Sequence, residues 1–520
     1  MSYQRPAIEC RTFQSPIVEA TVARLKSIIL DPDLFRLFEN SYPNSLDTAI
    51  RWKGYAANDS DEELTFLITG DINAMWLRDS ANQMQSYLPL LEASSSNKSI
   101  ASLYRGVINL QSRYLLTAPF CNAFRPPTEA GIDQDGSSAS NGDDVYPPFP
   151  SAAVLECKYE LDSLAAFLEI SSNYYTATKD LAFFSKYQWI NAVRAVLDVA
   201  KQMMTPTYSP EGRLNRSPYV FMRQTNRATE TLANAGYGNP VQSNTGLIRS
   251  AFRPSDDATI YQFFIPANMM FCTFLNSTAQ IMKALNGQTT LANEMLAMSK
   301  ALRTAIDRYG IVNDPRYGDM YAYEVDGFGS HNLMDDANVP SLLSAPFFGY
   351  LDHSDKVYQA TRRFILSKDN PYFMRGPIIN SVGGPHSGLG MAWPMASIIR
   401  VFTSDNDTEI TIALKEIVSS TDGLGEDSKQ SDGPPTSLTS KGLIHESINS
   451  FDESTWSRQW HVPLFVHGCT DLICPQVFLG KRAVRPNDPG SRNQKTGDIE
   501  AKLPVTTSRF RTAQIAAMCT

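Results

Sequence analysis

Twelve consecutive residues, Thr69-Gly70-Asp71-Ile72-Asn73-Ala74-Met75-Trp76-Leu77-Arg78-Asp79-Ser80, bring two carboxylates, a guanidinium, an indole and several small polar groups within reach of one ligand. That mixture suits a sugar. A pyranose presents an apolar ring face, against which Trp76 can stack, and a rim of hydroxyls, which Asp71, Arg78 and Asp79 can grip two at a time. A salt-bridged loop beside a core tryptophan would use the same residue types, so this run alone does not settle a function.

A second run, Phe252-Arg253-Pro254-Ser255-Asp256-Asp257, stands before the largely apolar stretch from Tyr261 to Leu275. Ser255 reads as a helix N-cap, which puts Asp256 and Asp257 in the first helical turn, where the macrodipole favours acidic residues without any function. Successive helical residues diverge by about 100°, so one aspartate is expected to cap the helix or bind Arg253 while the other points into a cleft. A carboxyl with a charged neighbour is suited to donate a proton. The third run, His445-Glu446-Ser447, precedes a segment with Trp456 and Trp460. His-Glu invites a zinc-protease reading, but Asn449 stands where the second histidine would be needed. Glu446 among polar and aromatic residues reads instead as a general base in a sugar site, against the plainer alternative of a solvated loop glutamate.

Further polar runs are 158–163, 324–338 with His331, Asp335 and Asp336, and 383–388 with His386, ahead of Trp393. Each is weak alone, and a lone histidine such as His331 or His386 is more often a structural hydrogen-bonder than a catalyst. Most lie on the N-terminal side of a helical window, which argues for one shared cleft at the end of a helical scaffold. No phosphate-binding loop, dinucleotide fingerprint or nucleophile elbow competes with that reading.

The elements that must position these groups are chiefly helical. Ser15 can cap a first helix with Pro16 at its start and Val18, Val22, Leu25 and Ile29 on one face. Stripes recur at Leu103, Val107, Leu110 and Tyr114, at Val193, Val196, Leu197 and Ala200, and at Leu291, Met295, Leu302 and Ile306. Further helical windows fall near 81–92, 159–171, 257–285, 337–350, 355–367, 390–402, 408–420 and 453–475, and few alternating strand patterns accompany them. Segments 125–151 and 424–441 read as loop insertions, and 481–520 as a polar C-terminal tail behind a single domain over 1–480. No solenoid-type repeat is present.

A chain of 520 residues with 42% hydrophobic, 19% charged and 10% aromatic residues has the make-up of a large globular enzyme rather than a disordered chain. Its net charge of −8 and the absence of a basic cluster ahead of the tail argue against a nucleic-acid partner. No apolar run reaches the ~18 residues of a membrane span. The start lacks secretory-signal features, which leaves a cytoplasmic protein or a secreted one with its signal removed, and sequons at Asn58, Asn97, Asn215, Asn276 and Asn406 do not decide between them. The seven scattered cysteines indicate neither a zinc site nor a disulfide framework.

Taken together, Thr-Gly-Asp-Ile-Asn-Ala-Met-Trp-Leu-Arg-Asp-Ser (69–80), Lys-Tyr-Glu-Leu-Asp-Ser (158–163), Gly-Asn-Pro-Val (238–241), Phe-Arg-Pro-Ser-Asp-Asp (252–257), Met-Asp-Asp-Ala-Asn-Val-Pro-Ser-Leu-Leu (334–343) and His-Glu-Ser (445–447) resemble glycoside hydrolase family 125, the exo-α-1,6-mannosidases, over about residues 10 to 475. The resemblance implies an all-α (α/α)6 barrel, an inverting mechanism, release of terminal α-1,6-linked mannose from mannans or N-glycans, and no metal or other cofactor. It puts the catalytic acid on the Asp256/Asp257 pair, without choosing between them, and the base on Glu446. Asp71, Trp76, Arg78, Asp79, Arg253, His331, Asp335, Asp336, His386 and His445 are then the expected sugar contacts. The expected partner is a mannose-containing oligosaccharide bound by a monomer. The competing readings are a calcium-dependent α-1,2-mannosidase or glucoamylase-like hydrolase on a related barrel, and a non-catalytic mannan-binding protein. Asn73 departs from the proline associated with bacterial members, and the 424–441 insertion stands just ahead of the base.

Overall fold

The computed structural model describes residues 1–70, 72–132, 142–421 and 442–457. Among them are twelve α-helices: α1 (Pro16–Lys26), α2 (Pro32–Ser41), α3 (Leu77–Gln85), α4 (Ile100–Thr117), α5 (Leu161–Thr178), α6 (Leu181–Phe184), α7 (Trp189–Gln202), α8 (Ile265–Ala284), α9 (Thr289–Tyr309), α10 (Lys356–Ile365), α11 (Pro394–Phe402) and α12 (Asp407–Ser419). Helix α1 starts at Pro16 as expected, but the Ser15 hydroxyl does not cap it. The Ser15 carbonyl takes that place, accepting from the amides of Val18 and Glu19 at 3.1 Å each.

The apolar stripes are the buried faces. Leu103, Val107, Leu110 and Tyr114 of α4, Val193, Val196, Leu197 and Ala200 of α7, and Leu291, Met295, Leu302 and Ile306 of α9 all join one hydrophobic core that runs from Val18 to Ile444. Helix α3 packs on α5, α5 on α8 and α8 on α9, with α4 against α5 and α7, and α11 against α12. At roughly 25 cal/mol for each Å² of apolar surface removed from water, such faces are what hold helices of ordinary propensity in place.

Short strands are far more frequent than the sequence pattern suggests, because many are only two or three residues long and carry no period. Several stand directly before a helix. Met75–Trp76 leads into α3, Val154–Glu156 leads by four residues into α5, Phe263–Phe264 leads into α8, and Met391–Ala392 leads by Trp393 into α11. The first two belong to one small sheet through Ala123–Phe124, Phe263–Phe264 pairs with Glu324–Val325, and Met391–Ala392 pairs with Ser447–Asn449, which pairs with Trp456–Ser457. These clips fix where each helix begins, and they bring Arg78, Glu160 and Glu446 to the helix-entry side of the scaffold.

Three expected elements are corrected. Residues 257–264 are not helical: the 251–259 stretch is a tight loop in which Arg253 N–H donates to the Asp257 carbonyl at 2.8 Å, Thr259 N–H donates to the Ala251 carbonyl at 3.0 Å, and Asp256 takes a left-handed φ of 69°. Ser255 therefore caps no helix, and α8 starts only at Ile265, with Pro266 in its first turn. Residues 337–350 form turns, because Pro340, Pro346 and Gly349 break the run and the Asp335 carboxylate takes the amides of Leu342 and Leu343 that a helix would use. Within 453–475, Trp456–Ser457 is a strand, and the residues beyond 457 lie outside those described, as does the 481–520 tail. The 424–441 insertion also lies outside them, while Asp143–Tyr146, in the other expected loop, pairs with Val220–Arg223.

The cysteine expectation also needs correction. Cys121 and Cys157 form a disulfide, 36 residues apart, beside the paired strands Ala123–Phe124 and Val154–Glu156. Only tertiary pairing of those strands brings the two thiols together, so cysteine spacing could not announce it. No described helix is long and apolar enough to cross a membrane.

Candidate active site

The Asp256-Asp257 pair and Glu446 converge on His386. The imidazole Nδ1 lies 3.9 Å from a carboxylate oxygen of Asp257, and its charge is felt by Asp256 and Glu446 as well. Burial alone would lower the His386 pKa; the surrounding carboxylates of Asp257, Asp256 and Glu446 outweigh it and raise the ring above its ordinary value. His386 is set by its neighbours: its ring meets Trp393 edge-on at 6.4 Å, the Trp393 indole N–H donates to Ser387 at 3.0 Å, and the Arg227 guanidinium donates to the His386 carbonyl at 3.2 Å.

The two aspartates differ sharply. Asp257 is buried, accepts from the Ser255 hydroxyl at 3.2 Å, and lies close enough to Asp336 for the two charges to repel. Asp256 keeps 34% of its side chain exposed, and one of its oxygens is 3.4 Å from the Lys158 ammonium. Its left-handed backbone costs an L-residue about 1–2 kcal/mol, least for Asp and Asn, and such outliers gather where function demands a fixed direction. Burial would raise the Asp256 pKa, but the charges of Lys158, His386 and Arg78 hold it below the usual carboxylate value.

Glu446 precedes the strand Ser447–Asn449 and is buried. The Ser457 hydroxyl donates to it at 3.2 Å across the strand pair Ser447–Ser457. His445 stacks on Trp456 at 4.9 Å, with the rings 14° from parallel. The glutamate is therefore held by a sheet whose other edge, Met391–Ala392, follows the His386 loop.

A second, deeper layer surrounds Arg78. Its guanidinium donates to Asp162 at 2.9 Å, Asp79 at 3.2 Å and the Pro254 carbonyl at 2.7 Å, so it ties α3 to α5 and to the aspartate loop. Burial pushes Asp162 up to about 6 against the pull of Arg78, and pushes Glu160 upward with help from the Asp162 charge. One carboxylate oxygen each of Asp79, Asp162 and Asp336 is buried without a hydrogen-bond partner among the described residues. Buried acceptors are rarely left so. Trp76 is half-buried against Ala74, Ala123 and Leu155.

Other expected contacts are engaged wholly or in part by the protein itself. Arg253 pairs with Glu324 at 2.6 Å instead of with either aspartate, because Glu324 is fully buried and also receives the amides of Ile260 and Tyr261. Asp335 spends both oxygens on the amides of Leu342 and Leu343 at 2.9 Å, and burial pushes its carboxyl up to about 8. Asp336 accepts from the Asn338 backbone and side chain at 3.0 Å, and Gly384 is required beside it, since a Cβ there would stand 2.8 Å from its other oxygen. His331 is exposed on a strand opposite Val325, outside the charged cluster. Asp71 lies outside the described residues. Lys158 and Asp162 belong to the 158–163 motif but are not among the expected sugar contacts, and Glu156 lies outside every motif, although three acids and a lysine within 156–162 are the available signal.

Comparison with known proteins bears on this cluster. A family model described as metal-independent alpha-mannosidase (GH125) matches residues 31–463. The chain is 44% identical over 487 residues to the meiotically up-regulated gene 157 protein of Schizosaccharomyces pombe, covering 93% of this chain and 90% of that one. A solved metal-independent alpha-mannosidase of Streptococcus pneumoniae, in a non-productive complex with alpha-1,6-mannobiose, superposes with a TM-score of 0.75 at 28% identity, covering 90% of this chain and 99% of that one. The residues that converge on His386 thus sit in a glycoside hydrolase, and the chain belongs to the metal-independent alpha-mannosidases of family GH125.

Proposed function

We propose that this chain is an exo-acting, inverting α-1,6-mannosidase that removes terminal mannose from mannans or N-glycans as a monomer, with Asp256 as proton donor and Glu446 as general base. Support for the reaction comes from one observation above the rest: the His386 imidazole lies 3.9 Å from Asp257 and is raised by the charges of Asp257, Asp256 and Glu446, which supports carboxylates from two separate loops facing one region. An inverting hydrolase needs such an arrangement, with one carboxyl protonating the leaving oxygen while the other activates water on the opposite ring face, the two ~6.5–9.5 Å apart. Asp256 is assigned the donor role because its carboxyl is the open one of the pair, whereas Asp257 is enclosed by Ser255, His386 and Asp336. The cations that hold Asp256 below the usual carboxylate value confine its protonated form to acid pH, where activity through it is expected.

Trp76 stacks on the sugar ring in this reading, and the buried unsatisfied oxygens of Asp79 and Asp336 are acceptors for its hydroxyls. Arg78 acts through Asp79 and Asp162 by holding them in place. The linkage is supported by the Streptococcus pneumoniae relative, which was captured in a non-productive complex with alpha-1,6-mannobiose. The succession α3–α5–α8 fits an (α/α)6 barrel formed as a single domain over 1–480, with the helix-entry ends framing the pocket.

The test is digestion of α-1,2-, α-1,3- and α-1,6-linked mannobiose with NMR detection of the first anomer released. Cleavage of the α-1,6 linkage with β-mannose appearing first is expected. Preferred cleavage of another linkage, or α-mannose appearing first, overturns the specificity or the inverting assignment respectively.

A further inference from the structure

Lys158 is an almost fully buried ammonium with no place in the proposed proton transfers. Its side chain is 5% exposed and lies 3.4 Å from Asp256 and 3.5 Å from Glu156, with the ammonium 5.5 Å from the centre of the Phe252 ring. Its own amide donates to Asn122 at 3.1 Å, and the preceding residue is bridged to Cys121, so its backbone is pinned from two sides. Lysine is a costly residue to bury unless it is paired. Here the partner left open to solvent is the proposed donor itself.

We propose that Lys158 is a positioning residue of the hydrolysis: its ion pair aims the Asp256 carboxyl into the site and sets the pH above which Asp256 no longer carries a proton to give. This rests on Asp256 being the donor. The groups facing the pair come from four places. Arg78 and Asp79 project from α3, Glu156 and Glu160 flank Lys158 on its own segment, Arg223 reaches Lys158 from the strand Val220–Arg223, and His386 faces Asp256 from the loop before α11. The cations in this set favour the ionised carboxylate, and Lys158 is the nearest to it. Glu156 works the other way, since it shares the ammonium and so weakens the hold on Asp256.

A proton donor must be protonated in the free enzyme, so the alkaline limb of kcat/KM reports its pKa. Removing the ammonium should raise that pKa. For Lys158→Met, the alkaline limb on α-1,6-mannobiose is expected to move up by about one pH unit, the usual scale for losing a charge partner at this distance. Glu156→Gln frees the ammonium for Asp256 alone and is expected to move the limb the other way, while Lys158→Arg keeps the charge and leaves it near the wild-type position. An activated aryl α-mannoside, whose leaving group needs little protonation, should show this limb weakly or not at all, which separates titration of Asp256 from titration of His386.

Unchanged limbs in Lys158→Met and Glu156→Gln, with kcat lowered equally at every pH, would overturn the inference and reduce Lys158 to a structural residue. If Lys158→Met does not fold, the direction of the Glu156→Gln shift alone decides. Asp256→Asn separates the donor assignment from the Lys158 role. If it damages mannobiose hydrolysis far more than aryl mannoside hydrolysis while the limbs stay fixed in the other variants, the donor stands and the Lys158 role falls. If it shows no such asymmetry, both fall.

Discussion

At the scale of single residues, the site combines groups whose roles can be separated by chemistry. Glu446 receives a hydroxyl from Ser457 and is fixed by a short sheet, so replacing one of its oxygens with an amide keeps the shape and removes the basicity. Glu446→Gln is expected to lower kcat on α-1,6-mannobiose by roughly 10²–10⁴ with KM little changed, because the sugar contacts lie on other loops. Near wild-type turnover in that variant would move the base elsewhere. Asp256, Asp257, Glu446 and His386 stand out in the sequence only through the set of runs and the family resemblance, since each run alone also reads as a helix terminus, a solvated loop or a structural hydrogen bond. Their division of labour is not legible there. Exposure separates Asp256 from Asp257, and exposure depends on a loop whose left-handed residue is an aspartate rather than the glycine that would have marked the turn. Arg253 misleads for a similar reason: its partner Glu324 is 71 residues away and is delivered by strand pairing.

At the scale of elements, helices with clean periodic faces are readable from sequence, and α4, α7 and α9 bury the stripes expected of them. The strands are not, because a two-residue clip such as Met75–Trp76 or Phe263–Phe264 has no period and owes its existence to a partner far along the chain. The same clips account for the disulfide. Cys121–Cys157 closes a loop of 36 residues directly beside Asn122 and Lys158, and chain-entropy arguments give such a cross-link about 3–4 kcal/mol. Cys121→Ala/Cys157→Ala is expected to unfold at lower urea than the oxidised wild type. Reductant should bring the wild type down towards the double variant without moving the variant itself. Equal midpoints for the oxidised wild type and the double variant would mean that strand pairing alone secures this corner.

At the scale of the whole molecule, one core extends over nearly all of the described chain, and the helix-entry ends of α3 and α5 contribute charged groups to the same region as the loops before α8 and α11. Concentrating charge at one end of an apolar scaffold has a consequence for electrostatics: carboxylates there must be paired with cations, hydrogen-bonded, or neutralised by proton uptake. Arg78, Lys158 and His386 supply the positive charge, and no group of three or more His, Cys, Asp or Glu side chains among the described residues has the arrangement to hold a metal ion. Protein cations thus balance the carboxylates at this end of the scaffold, and the chain belongs to a family described as metal-independent. Full-length enzyme dialysed against EDTA is therefore expected to keep its kcat/KM on α-1,6-mannobiose, and added calcium is expected to leave it unchanged. Loss of activity with EDTA and recovery with calcium would require ligands from outside the described residues and would undo the assignment of that charge balance to Arg78, Lys158 and His386.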